Sequence, residues 1–175
     1  MTVNTAGTRI TRYNPGMTMT ANPYAADLGD RDPLEAFSRT AEEIRALVQD
    51  WPAERFEGSY APGKWSARKI LIHLAQTEIG LTTRARLAVT IPDYQAQPFS
   101  QDAWLPLDEQ ADARTALEAY TSLRRLNAAM FRGLTREQLA IPFRHPEYGL
   151  LNVGWILAQM AGHDIHHLKQ LKTID

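Results

Sequence analysis

The chain has 175 residues, no cysteine, and 19 Lys+Arg against 20 Asp+Glu, a formal charge of −1. A chain of this length forms one domain, or one domain with a tail, and buries roughly 70% of the surface its unfolded form exposes. The absence of thiols excludes disulfides, thiolate metal ligands and a protein-borne redox couple, and the balanced charge offers no basic field to nucleic acid or anionic lipid. No apolar run approaches the ~20 residues of a membrane-spanning helix, and the N-terminus lacks the charged-then-apolar layout of a signal peptide, so the expected location is the cytoplasm.

Residues 1–30 are rich in Thr, Asn, Gly and Pro and carry no hydrophobic period, which predicts a flexible or loosely docked arm ahead of a domain over 31–175. Asp32-Pro33-Leu34-Glu35 supplies an N-cap, a proline at the first helical position and an acidic residue three places after the cap, so a first helix starts there. Leu34, Phe37, Ala41, Ile44, Leu47 and Val48 recur at helical spacing and give it one apolar stripe, which ends before Trp51-Pro52. Ser66 then caps a second helix over about 67–89. Its inward stripe reads Ile70, His73, Leu74, Thr77, Leu81, Ala85, with a histidine where the period calls for an apolar side chain.

Pro92, Pro98 and Pro106 mark residues 91–107 as a long connection crossing the bundle. A third helix over about 109–132 turns Ala113, Leu117, Tyr120, Leu123, Asn127 and Met130 inward and stops at Gly133. Thr135-Arg136-Glu137-Gln138 reads as a capping box for one short turn, and 141–150 as an irregular loop. Asn152 caps a last helix over about 153–172, whose face carries Ile156, Met160, His163, His167 and Leu171. Four long amphipathic helices with one long crossover predict an all-α four-helix bundle.

His163 and His167 lie one turn apart and about 40° around the axis, so their imidazoles can converge on one ion, whereas His166 sits about 100° from His167 and belongs to the edge of the face. With His73 from the second helix they make three histidines on core stripes. Burying them unpartnered would cost about 1–3 kcal/mol for each unsatisfied group, a cost that a shared cation removes. Spacing by itself leaves both a metal centre and a set of satisfied core histidines open. Three imidazoles without thiolate suit a divalent first-row ion such as Zn²⁺ or Ni²⁺, and three ligands leave a coordination position open. Glu78 and Asp164 are about 140° and 100° from their nearest histidine on the same helix, so each is read as a surface carboxylate or a helix-to-helix partner. No catalytic residue is assigned. His145, before a proline, reads as a loop cap or an exposed residue. Trp65, Trp104, Tyr148 and Trp155 suit a pocket lining or aromatic core packing.

At these positions the chain resembles the DinB/YfiT-like superfamily from its first helix to its C-terminus. The resemblance rests on Pro62-Gly63-Lys64-Trp65-Ser66 leading through Ile70-Leu71-Ile72-His73-Leu74 to Glu78, on His145-Pro146-Glu147-Tyr148-Gly149, and on Gly162-His163-Asp164-Ile165-His166-His167-Leu168-Lys169-Gln170-Leu171. It implies a four-helix bundle, often a homodimer, whose metal ligands match His73, His163 and His167. Lys69 departs from the family pattern, where an acidic residue is common, without touching the ligands. Relatives include bacillithiol-dependent transferases, mycothiol-dependent isomerases and metal-dependent hydrolases. The implied function is therefore hydrolysis or S-transfer of a small-molecule substrate, the latter with an external low-molecular-weight thiol because the chain has none. The alternative is a non-catalytic bundle that binds a metal or ligand. Neither nucleic acid nor a membrane is an expected partner.

Overall fold

A computed structural model describes residues 20–175. The predicted caps set the helix starts. Asp32 accepts the amide of Glu35 at 2.8 Å ahead of Pro33, Ser66 accepts that of Lys69 at 3.4 Å, and Asn152 accepts that of Trp155 at 2.7 Å. Each satisfies one of the orphan donors of a first turn. They open α2 (Pro33–Val48), α3 (Ala67–Thr90) and α7 (Val153–Leu171), while one helical turn, α1 (Ala25–Leu28), precedes them. The remaining elements are α4 (Gln101–Trp104), α5 (Ala113–Gly133), α6 (Arg136–Leu139), and two strands, β1 (Pro142–His145) and β2 (Gly149–Asn152).

The four long helices, α2, α3, α5 and α7, form the bundle. α3 packs on α5 and α7, and α2 packs on the same two, so α2 and α3 face each other across a diagonal, as do α5 and α7. The long connection after α3 is present and joins neighbouring helices. The diagonals are crossed by residues 49–66 and 134–152. Thr135 and Gln138 form the expected capping box at α6.

Three local readings change. The segment over 141–150, read as an irregular loop, is an antiparallel hairpin in which Phe143 faces Leu151 and His145 faces Gly149. Its strands have four residues each, and Pro146 stands in the turn, so the period was too short to recognise. α5 begins at Ala113 because Asp112 accepts the amide of Thr115 at 2.8 Å, while residues 105–108 coil as a 3₁₀ turn. The inward face of α5 is carried by Tyr120, Arg124, Asn127, Ala128 and Phe131, whereas Leu123 and Met130 are half-buried.

The arm reading over 1–30 falls mostly outside the described residues. Within them, α1 lies along α7. Gly162 makes this approach possible, since a Cβ there would stand 2.4 Å from the Tyr24 carbonyl oxygen. Two apolar clusters fill the bundle. One gathers Ile44, Phe56, Ile70, Leu74 and Leu171, and the other Phe37, Ala85, Phe131, Ile156 and Met160. Between them runs a band of buried polar side chains.

Candidate metal centre

α3 brings His73, and α7 brings His163 and His167, to one buried cluster at the α3–α7 contact, with residue exposures of 3%, 3% and 6%. The three candidate ligand atoms lie within 4.8 Å of one another. His163 Nε2 stands 2.8 Å from His73 Nε2 and 3.1 Å from His167 Nε2. Nitrogens bound to one tetrahedral ion at 2.0–2.1 Å would stand roughly 3.3 Å apart.

The outer nitrogens decide what the inner ones can do. A neutral imidazole carries one proton. Asp164 Oδ1, 3.4 Å from His163 Nδ1, accepts only, so that proton belongs on Nδ1 and leaves His163 Nε2 bare. The same logic runs outward from His167. Asp27 Oδ2 lies 3.4 Å from His166 Nδ1 and accepts its proton, so His166 Nε2 accepts from Gln170 Nε2 at 3.0 Å. The Gln170 oxygen therefore accepts from His167 Nδ1 at 2.7 Å, and His167 Nε2 is bare as well. Two lone pairs then face each other at 3.1 Å, with His73 Nε2, 2.8 Å from the first, as the group able to donate between them; a divalent ion among the three would take the place of that proton. Burial, reinforced by the neighbouring His163, lowers the His73 pKa to about 3, with Asp164 opposing, and burial with His163 and His73 holds His167 well below its ordinary value. His73 Nδ1 is buried without a hydrogen-bond partner, so in the metal-free ring the proton sits on Nε2 facing His163, and an ion bound there would move it to Nδ1. This neutral nitrogen donor set fits a first-row divalent ion better than Mg²⁺ or Ca²⁺, which prefer oxygen.

Glu78 and Asp164 are helix-to-helix partners, not surface carboxylates: both are fully buried. Arg124 of α5 donates through Nε to Glu78 Oε1 at 2.7 Å, through Nη2 to both carboxylates, and through Nη1 to the Phe37 carbonyl at 2.6 Å. Tyr120 donates to Asp164 Oδ2 at 2.8 Å, and Asn127 to Glu78 Oε2 at 2.6 Å. Burial raises the Asp164 carboxyl, but Arg124, His163 and Tyr120 together bring it below the usual carboxylate range. Burial raises Glu78, with Arg124 and Asn127 pulling the other way.

His167 also lines a cleft of about 400 Å³, together with Tyr24, Tyr60, Lys64, Trp65, Asp102 and His166. A volume of this size admits a small molecule. Two aromatic side chains wall the cluster. The Trp65 ring packs 5.0 Å from that of His73, and the Tyr24 ring 5.1 Å from that of His163 in an edge-on contact. Trp65 is the one of the four singled-out aromatics that lines the cleft. Trp155 stacks on Tyr148 and donates to the Thr20 carbonyl, and Trp104 packs on Phe99. His145 stays apart from the cluster. It is buried at the hairpin turn, where its Nδ1 accepts the amides of Glu147 and Tyr148 at 3.2 and 3.3 Å.

A four-helix bundle with a buried three-histidine cluster beside a cleft is the class that fold and site define. The chain belongs to the DinB superfamily, which it matches over residues 36–171. It is 26% identical over 132 residues to a protein of Oceanobacillus iheyensis named "Putative metal-dependent hydrolase", covering 75% of this chain and 77% of that one. A second protein of the same organism and description is 27% identical over 136 residues, 77% of this chain and 76% of the relative. Among solved structures it is similar to YfiT from Bacillus subtilis, described there as "a probable metal-dependent hydrolase with an unusual four-helix bundle topology", with a TM-score of 0.75 at 21% identity over 94% of this chain and 93% of the other. A mycothiol-dependent maleylpyruvate isomerase shares the fold with a TM-score of 0.66 at 14% identity, over 89% of this chain and 63% of the isomerase.

Proposed function

We propose that His73, His163 and His167 hold one divalent first-row metal ion, Zn²⁺ or Ni²⁺, through their Nε2 atoms, and that the protein is a metal-dependent hydrolase of a small molecule. The observation that carries this reading is the convergence of three imidazole nitrogens within 4.8 Å of one another in a buried cluster. The family membership and the names of its relatives support it. When bound, such an ion supplies Lewis acidity that polarises a carbonyl or makes a water or thiol nucleophilic near neutral pH.

The chain's own residues do the rest. Trp65 and Tyr24 cover the cluster on two sides, so the cleft beside His167 is the way in for substrate. Lys64 at its edge offers a cation to an anionic substrate group, and the Tyr24 and Tyr60 hydroxyls offer hydrogen bonds. The chain from His167 through Gln170 and His166 to Asp27 fixes the ring of His167 and the protons along it. His166, with a side chain 42% exposed, carries that chain to the edge of the cleft. The catalytic unit is residues 31–175, with the arm of residues 1–30 adding Tyr24 and Asp27.

S-transfer with an external low-molecular-weight thiol is the second reading. It is favoured by the cleft, which is large enough for a cosubstrate, and by the fold shared with a mycothiol-dependent isomerase. The reading extends to a homodimer in the cytoplasm, and light scattering checks the first by giving twice the 19.7 kDa chain mass.

Elemental analysis of untagged protein tests the centre, with one first-row metal per chain expected. A screen of esters and amides, with and without small thiols, then separates hydrolysis from S-transfer. His73→Ala is expected to lose both the metal and turnover. Full turnover in that variant would refute the enzyme reading.

A further inference from the structure

We propose that Asp164 is a positioning residue of the metal centre: its carboxylate orients His163 as a ligand and supplies the negative charge nearest the ion, while Arg124 and Tyr120 hold it in place. The proposal rests on the three-histidine reading and adds to it a residue that touches no ion.

The three histidines are not supported alike. His73 Nδ1 has no hydrogen-bond partner, and His167 Nδ1 donates to a neutral amide oxygen. His163 alone among the three faces a carboxylate. The two oxygens of Asp164 divide the work. Oδ2 takes the Tyr120 hydroxyl and the Arg124 guanidinium, which fixes the carboxylate from the α5 side. Oδ1 is left to His163, and no other hydrogen bond to it is found among the described residues. Asp164 and His163 are sequence neighbours on one helix, where side chains diverge by about 100°. Their contact therefore depends on the carboxylate being drawn round to α5.

Charge placement points the same way. Three neutral imidazoles bring no countercharge to a divalent ion, and a buried dication in a low-dielectric site needs one. Arg124 lies between two carboxylates, one more acidic group than that guanidinium can offset, and the one at Asp164 touches a ligand. Glu78 lies on the far side of Arg124, with Asn127 and then Arg86 beyond it. A carboxylate behind a ligating histidine fixes the tautomer and raises ligand basicity, and its loss costs about 10–100-fold in metal affinity.

The experiment is a competition titration of Co²⁺ against a chelator, read by the visible spectrum, with the melting temperature of the metal-free protein measured alongside. Wild type should bind one Co²⁺ and His163→Ala none; if wild type binds none, the metal reading itself falls, whatever Asp164 does. Asp164→Asn should weaken Co²⁺ binding about 10–100-fold and shift the spectrum. Glu78→Gln should lower the melting temperature and leave Co²⁺ affinity within about threefold, because the carboxylate beside His163 remains. Equal Co²⁺ affinity in Asp164→Asn and wild type, or equal loss in both variants, would overturn the proposal. Should Asp164→Asn not fold, ¹⁵N-correlated NMR of zinc-loaded wild type decides. A downfield, slowly exchanging Nδ1 proton on His163 supports the carboxylate contact, and a fast-exchanging one overturns it.

Discussion

At the scale of single residues, the histidines were readable because each stands where a helical period demands an apolar side chain. Arg124 was not. Leu123 beside it satisfies the same three-and-four spacing, and only the packing of α5 on α3 shows that the guanidinium points inward. Its partner Glu78 lies 46 residues away in the chain, which no local pattern can reveal, so the two carboxylates read as ambiguous. Arg124 is boxed in by carboxylates on two sides and by the Phe37 ring 3.6 Å from its guanidinium carbon. Removing one member of such a set leaves uncompensated buried charge. Arg124→Met is therefore expected to lose about 3–5 kcal/mol of unfolding free energy in urea. The double variant Glu78→Gln/Arg124→Met should lose less than the sum of the two singles, because those groups no longer strand each other. Additive losses would show that the network is not coupled.

At the scale of elements, helix starts were legible wherever a cap is local. Asp32, Ser66, Thr135 and Asn152 each act within three residues of themselves. The hairpin over 142–152 and the docking of α1 were not, because each depends on a surface supplied by a distant segment. Gly162 is the hinge of the second case. Read from sequence it was one residue of a motif; in the fold it is the seat on which α1 rests, and α1 delivers Tyr24 to His163 and Asp27 to His166 and Lys169. A methyl group there would meet backbone, which cannot swing aside as a side-chain tip can. Gly162→Ala gains helix propensity within α7 yet should displace α1. The expected result is faster amide exchange over 24–28 and an altered KM for substrate, with the long helices still protected. Unchanged exchange in α1 would show that the seat is not required.

At the scale of the whole molecule, the four long helices followed from periodicity, but their arrangement did not. Which helices face each other across the diagonal is set by the packing of complete surfaces, and two connections of similar length can join neighbours or opposites. That arrangement gives the metal reading a thermodynamic consequence. His73 is 90 residues from His163 and lies on a different helix, so an ion shared between them ties α3 to α7 in the folded state and has no equivalent preformed site in the unfolded chain. Binding to the native state alone stabilises it by about 2.7 kcal/mol when free ion is 100-fold above Kd. For a domain of this size each kcal/mol moves Tm by about 2–4 °C, so Zn²⁺ should raise the melting temperature of chelator-treated protein by roughly 5–11 °C. His163→Ala should melt at the same temperature with and without the ion. A wild-type Tm indifferent to Zn²⁺ and Ni²⁺ alike would mean that the three rings are core histidines, their contacts satisfied by the His73 Nε2 proton or by an amide flip at Gln170 with a tautomer change at His166.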